Sequence, residues 1–156
     1  VEADAPSSVI EKAHALWQYR WSIISASSDP STSHAEELAS FGWWFASERL
    51  DADWAVRQLL AVLRLIGRAE PEHLVAARLA AIAEKKPIDA VECLGMMIRG
   101  DTEGWGILSW RDEARAILAA ATKAAQPEAR LKGAAVVNYL ASIGHLEYRD
   151  LLSPGD

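Results

Sequence analysis

The stretch DADWAVRQLLAVLRLIG, residues 51–67, is the most regular helical segment of this chain. Asp51 has the side chain of a helix N-cap, and Gly67 stands where a left-handed residue ends a helix. Between them, apolar residues recur at helical spacing and form one stripe: Val56, Leu59, Leu60, Leu63 and Ile66. The segment therefore predicts an amphipathic helix that packs against other helices.

The rest of the chain predicts helices as well, since alanine is abundant and no alternating strand pattern persists. Three helices begin at a proline, where the missing N–H costs nothing. Ser33 and Glu36 have the spacing of a capping box at the start of the second helix. The seven further helices are expected at Ser8–Ser25, from Ser33 onward, at 71–86, Pro87–Gly100, Ser109–Ala125 and Pro127–Gly144, and at about 145–152.

These elements predict an all-α fold of about seven or eight helices arranged as hairpins. The hairpins start at Asp51, Pro87 and Pro127, a spacing of about 40 residues that is typical of helical-hairpin repeats. We expect residues 1–32 to form an N-terminal helix plus a flexible Ser-rich linker. Residues 33–152 form the helical-hairpin repeat domain, and residues 153–156 form a tail.

The helices that start at Pro71, Pro87 and Pro127, with apolar stripes between them, resemble HEAT- and armadillo-like α-solenoid proteins over about residues 36–152. This resemblance implies antiparallel hairpins stacked as a short right-handed α-α superhelix. The run Phe41-Gly-Trp-Trp-Phe45, followed by Asp51-Ala-Asp-Trp54, is also similar to helical C-terminal regions of large bacterial multidomain proteins. That second resemblance implies a domain of a larger bacterial protein that follows an NTPase or other effector domain.

Composition disfavours several classes of protein. A net charge of −6 over 156 residues repels nucleic acid and anionic membranes. No apolar run approaches the ~20 residues needed to cross a bilayer, and no signal peptide precedes the first helix. The single cysteine, Cys93, has no internal disulfide partner, which predicts a cytoplasmic protein. The chain lacks an initiator Met, which indicates a piece excised from a longer polypeptide.

Catalytic motifs are missing from the sequence. There is no HExxH zinc motif, no P-loop and no Gly-x-Ser-x-Gly elbow. Cys93 falls between inward-facing positions and is expected in the core, and His34 and Glu37 are expected on a solvated first turn. We therefore predict no catalytic residue, no metal and no cofactor.

The candidate binding residues are aromatic and basic. Of the seven tryptophans, five are in phase with apolar stripes and are expected in the core: Trp17, Trp21, Trp44, Trp54 and Trp110. Trp43 and Trp105 are out of phase, and exposed tryptophans are enriched at interaction hot spots. A stripe of Arg57, Arg64 and Arg68 offers a surface for an acidic partner or a nucleic-acid backbone.

Three hypotheses follow. The first is a non-catalytic helical-repeat module that binds another protein or another domain of its parent chain. The second is a HEAT-like nucleic-acid-binding protein of the DNA-glycosylase type, with roles for Trp105, Trp110, Asp101 and Arg111; the net charge makes nucleic acid the less favoured partner. The third is a helical bundle that holds a small apolar ligand among the tryptophans.

Overall fold

A computed structural model describes residues 7–153, and these residues form an all-helical fold with no strand among them. Asp51 lies at the start of the central helix and Gly67 lies at its end, as their positions predict. Nine α-helices occur in this part of the chain: α1 (Ser7–Ser25), α2 (Pro30–Ser33), α3 (Ala35–Ala39), α4 (Phe41–Ala46), α5 (Ala52–Ile66), α6 (Glu72–Ile82), α7 (Pro87–Gly100), α8 (Arg111–Thr122) and α9 (Pro127–Ser142). Two 3-10 segments cover Gly106–Trp110 and Leu146–Leu152.

Helix α5 has the caps that its sequence predicts. The Asp51 carboxylate accepts a hydrogen bond of 2.9 Å from the backbone N–H of Trp54. Gly67 has a φ of 69°, a left-handed conformation that ends the helix. The N–H of Gly67 also donates to the carbonyl oxygen of Leu63 at 2.8 Å. Both ends of α5 are therefore fixed by local chemistry.

The second helix expected from Ser33 onward is wrong as one continuous element, because the chain forms α3 and α4 there. Helix α2 lies almost wholly within the segment expected to be a flexible linker. The capping box is also wrong. Asp29 caps α2 by accepting from the N–H of Thr32 at 3.3 Å, and the Ser33 hydroxyl donates back to the Asp29 carbonyl at 2.7 Å. Glu36 reaches the Arg68 guanidinium at 2.5 Å rather than the backbone near Ser33.

A tertiary hydrogen bond explains the break between α3 and α4. The N–H of Glu70 donates to the carbonyl oxygen of Ala39 at 2.9 Å. The N–H of Trp43, which a continuous helix would direct to Ala39, donates instead to the carbonyl oxygen of Ser40 at 3.1 Å. Because a distant residue takes this carbonyl, the helix register changes at Ser40.

Two C-terminal elements also differ from expectation. The helix predicted from Ser109 begins at Arg111, since the residues before it form a 3-10 turn. The last predicted helix is a 3-10 segment as well. The helix predicted to reach Lys86 ends at Ile82. The tail lies outside the described residues, apart from Ser153.

The helices contact one another in two rows. One row is α4, α6 and α8, and the other is α5, α7 and α9, with each helix packed on the next of its own row. The rows meet through the pairs α4 with α5, α6 with α7, α7 with α8, and α8 with α9, so the expected pairing of the helices over 87–126 is present. The expected hairpin over 51–86 is therefore wrong as a packing unit, because α5 and α6 scarcely touch.

Helix α1 joins this body through aromatic side chains, and its backbone approaches the other helices at few points. Trp17 and Ile24 are buried in the same core as α5 and α7. The Trp17 indole N–H donates to the Gln58 side chain at 3.1 Å. The large rings hold the α1 backbone at a distance while they bury its inner face. None of the helices within 7–153 is long and apolar enough to cross a bilayer.

Candidate functional site

The seven tryptophans divide as their helical phase predicts. Trp43 is 60% exposed and Trp105 is 69% exposed, whereas Trp17 and Trp110 are buried. The three remaining rings are half-buried and pack against the core: Trp21, Trp44 and Trp54. The two out-of-phase rings therefore lie at the surface.

A cluster of aromatic rings packs together where α1, α4 and α5 meet. The rings of Trp17 and Phe41 have centroids 4.4 Å apart, and Trp44 lies 5.9 Å from Trp17. Phe41 meets Trp54 edge to face at 6.1 Å. Since α4 places these rings inward, its adjacent residue Trp43 faces outward.

An apolar groove runs between the first turns of α1 and the end of α4. It encloses about 290 Å³. Trp43 and Trp44 form one wall, and Val9 and Ile10 of α1 form the other. The Arg49 side chain, which follows α4, lies at its margin.

The exposed face of α1 carries a second apolar stripe beside this groove, formed by Val9, Leu16, Tyr19 and Ile23. Leu16 is 54% exposed and Tyr19 is 63% exposed. We call these four residues the outer stripe. Sequence reasoning missed it because it followed only the inner stripe of α1. The signal was present in the seven-residue spacing of Val9, Leu16 and Ile23, which places them on one helix face.

Trp105 lies in a separate region from Trp43. It borders a pocket of about 460 Å³ together with Asp101, Glu103, Tyr139 and His145. None of the residues that line this pocket lines the groove at Trp43. The structure therefore does not bring the two exposed tryptophans into one site.

Asp101 organises the loop that carries Trp105. Its carboxylate accepts hydrogen bonds from the backbone N–H groups of Glu103, Gly104 and Gly106, the last at 2.6 Å. Trp110 is buried, and its indole N–H lies 3.4 Å from the Glu72 carboxylate. Asp101 therefore acts as a loop anchor, and Trp110 does not line the Trp105 pocket.

Two of the three arginines of the predicted basic stripe have acidic partners. Arg64 donates to Glu92 at 2.9 Å, and Arg68 pairs with both Glu36 and Glu70. Burial opposes ionisation of Glu92, but Arg64 and Lys132 together lower the pKa of its carboxyl group. These pairs neutralise most of the stripe.

Arg57 is exposed and makes no ion pair with any residue of 7–153. It is the member of the stripe that remains open to a partner. One exposed arginine is a small basic surface compared with the three that the sequence suggested.

An ion pair ties α1 to α3. The Arg20 guanidinium donates two hydrogen bonds of 2.6 Å to the two oxygens of Glu37. This bidentate contact lowers the pKa of the Glu37 carboxyl group and raises the pKa of Arg20. His34 lies 3.7 Å from the same carboxylate. Glu37 thus holds α1 in place.

The remaining titratable core groups are buried away from the surface. Cys93 lies in α7 with no exposed surface, and burial raises the pKa of its thiol well above the ordinary value. Burial also raises the pKa of Tyr148 to about 12. Among residues 7–153, no three His, Cys, Asp or Glu side chains lie together in a metal-binding arrangement. Because the pKa of its thiol is raised, Cys93 strongly disfavours the thiolate, which is the reactive form of cysteine.

The chain was compared with known families, curated proteins and solved structures. No protein-family model, curated protein sequence or solved structure matches it. The function of the chain is therefore inferred from the surface of the molecule itself.

Proposed function

We propose that this chain is a non-catalytic helical-repeat interaction module that binds another protein or another domain of its parent chain. The observation that carries this proposal is the contiguous apolar surface made by Trp43 and Val9, which border the groove, and the outer stripe that continues from Val9 along α1. Apolar surface concentrated in one place is typical of interaction sites, and exposed tryptophan is a preferred anchor.

The packing of the helices supports the repeat part of this proposal. A short HEAT-like right-handed superhelix needs helices stacked in two rows, and the contacts among α4 to α9 supply two such rows. In such a protein the end units have an uncovered face. Helix α1 covers that face at α4 and α5 and presents its own outer stripe to the solvent.

Two observations weigh against the rival functions, which are nucleic-acid binding of the glycosylase type and binding of a small apolar ligand. In a glycosylase-type protein, Asp101 would need a free carboxylate, but it is occupied by three backbone N–H groups. The groove at Trp43 encloses about 290 Å³, which is at the lower limit of small-molecule sites. A large side chain of a partner protein fits within that volume.

Site-specific photo-crosslinking in the parent protein tests the proposal. Trp43 and Trp105 are replaced, one at a time, by p-benzoylphenylalanine. Leu131 is the matched control, because it is an apolar side chain on α9 that is 73% exposed and lines neither pocket. We expect a discrete crosslink from position 43 to another protein or to another domain of the same chain, and none from position 131.

Mass spectrometry of the crosslinked peptides distinguishes the two kinds of partner. A crosslink within one polypeptide identifies a neighbouring domain, and a crosslink between two polypeptides identifies a separate protein. The absence of a crosslink from both 43 and 105 contradicts the proposal, as does a yield at position 131 equal to that at position 43.

A further inference from the structure

The groove at Trp43 has the dimensions of a socket for one side chain. Trp43 and Trp44 face Val9 and Ile10 across it, and Leu50 forms part of its lining. Most of this lining is hydrocarbon or aromatic ring. An apolar side chain that entered the groove would therefore leave water for an apolar environment, which favours binding.

Among the residues that the structure describes, Arg49 is the one charged side chain that lines this groove. It is exposed and makes no ion pair or side-chain hydrogen bond with any residue of 7–153. Arg20, Arg68 and Lys86, by contrast, each have an acidic partner. The groove therefore combines apolar walls with a positive charge that has no acidic partner within residues 7–153.

The backbone beside Arg49 adds a second observation. Glu48, the residue before it, has a φ of 60°, which is unfavourable for a side chain other than glycine. Strained backbone of this kind is concentrated at binding sites, where it positions a neighbouring group. Here the strained turn connects α4 to α5 and places Arg49 next to the apolar walls.

We propose that this groove binds a segment of a partner protein in which a large apolar side chain is adjacent to a carboxylate. The apolar side chain enters between Trp43 and Val9, and the carboxylate pairs with the Arg49 guanidinium. This inference rests on the proposed function and specifies its partner's chemistry. The net charge of −6 opposes an acidic segment at long range. At physiological salt, however, charges beyond about 8 Å are largely screened, so the local charge at Arg49 decides.

Selection from a displayed library of random dodecapeptides tests the proposal directly. The folded chain is the bait, in wild-type form and as three variants: Arg49→Glu, Trp43→Ala and the control Leu131→Ala. All three substituted residues are exposed on the surface, and circular dichroism checks that each bait is helical. We expect the wild type and the control to enrich peptides with Leu, Phe or Trp next to Asp or Glu.

The charge-reversed bait, Arg49→Glu, tests the proposed ion pair with a carboxylate most directly. Arg49→Glu should enrich peptides with Lys or Arg in place of the acidic residue, and Trp43→Ala should enrich none. A synthetic peptide of the wild-type consensus should bind Arg49→Glu at least tenfold more weakly than wild type. Its affinity for wild type should also fall as salt rises.

Three results would overturn the inference. They are the absence of any enriched peptide, enrichment that is unchanged in Arg49→Glu, and a wild-type dimer in sedimentation that Trp43→Ala dissociates. The dimer would show that a second copy of the chain covers the groove. The proposed function is tested separately, because a crosslink from position 43 without acidic peptides would leave it standing and remove only the partner chemistry.

Discussion

At Gly42 the backbone of α4 touches the loop before α6. A Cβ atom at this position would lie 2.3 Å from the carbonyl oxygen of Glu70. The same loop supplies the N–H of Glu70 that bonds to Ala39. The absence of a side chain at Gly42 therefore allows both the close contact and the hydrogen bond that separates α3 from α4.

Gly42→Ala is predicted to destabilise the fold by ~3 kcal/mol, because a clash with backbone cannot be relieved by rotating a side chain. Helix propensity alone predicts the opposite sign, since alanine in a helix is more stable than glycine by roughly 0.5–1 kcal/mol. Urea unfolding of the two proteins measures the difference. A variant as stable as wild type would show that the loop at Glu70 does not lie against α4.

A substitution at Glu48 is predicted to stabilise the fold, in contrast to Gly42→Ala. Its φ of 60° is a conformation that costs a non-glycine residue roughly 1–2 kcal/mol. Glu48→Gly should therefore stabilise the chain by about 1 kcal/mol, reduced by the greater flexibility of glycine in the unfolded state. Glu48→Ala is the control, because it loses the contact with Arg78 but keeps the backbone strain. Equal unfolding midpoints for both variants would argue against strain at this residue.

At the scale of helices, much of the architecture follows from local chemistry. Asp51 and Gly67 fix the ends of α5, and Pro87 and Pro127 mark the first residues of α7 and α9. These signals act within a few residues, so the sequence predicts them. The break at Ser40 depends on Glu70, some thirty residues away, and no local pattern contains it.

The candidate site likewise combines features set within one helix and features set by packing between helices. Helical phase separated the five tryptophans expected in the core from Trp43 and Trp105, because phase is a property of one helix. The groove at Trp43 depends on how α1 packs beside α4, and this brings Val9 and Arg49 to the same ring. Whether the arginines of the stripe form ion pairs also depends on packing, since Glu92 of α7 pairs with Arg64 of α5. Contacts between elements are not encoded by spacing within either one.

Docking of α1 is expected to depend on pH through Glu37. Its pKa is lower in the folded protein than the ordinary value of 4.5, because Arg20 donates hydrogen bonds to its charged form. The resulting stabilisation is complete above that ordinary value and is lost as pH falls through the lower folded pKa. Glu37→Gln should therefore be less stable than wild type at pH 7, and the difference should disappear at acid pH.

Urea unfolding measured from pH 7 downward gives this difference directly. Glu11→Gln is a suitable control, because Glu11 is an exposed residue of α1, the helix that carries Arg20, and makes no ion pair with residues 7–153. Asp29 and Glu92 also have lowered pKa values, so both proteins lose stability in acid. A difference between wild type and Glu37→Gln that stays constant with pH would contradict the role assigned to the Arg20 contact.

For the whole molecule, the packing predicts a gradient of stability from α7 to α1. Helix α7 contacts α5, α6, α8 and α9, and it contributes a large part of the buried core, including Leu94. Helix α1 is attached through a few side chains, chiefly Trp17 and Ile24. Local opening free energies follow the density of buried contacts, so α1 should open without the rest of the chain.

Hydrogen exchange followed by mass spectrometry should therefore find the slowest amides in α7, exchanging only when the whole chain unfolds, and faster exchange in α1. Trp17→Ala should speed exchange in α1 and α4 and leave α7 unchanged, whereas Leu94→Ala should speed exchange in every helix. Protection in α1 equal to that in α7 would mean that the aromatic contacts bind α1 as firmly as the two rows bind each other. The opening of α1 matters for function because it separates Val9 from Trp43, so a partner that enters their groove should slow exchange in the first turns of α1.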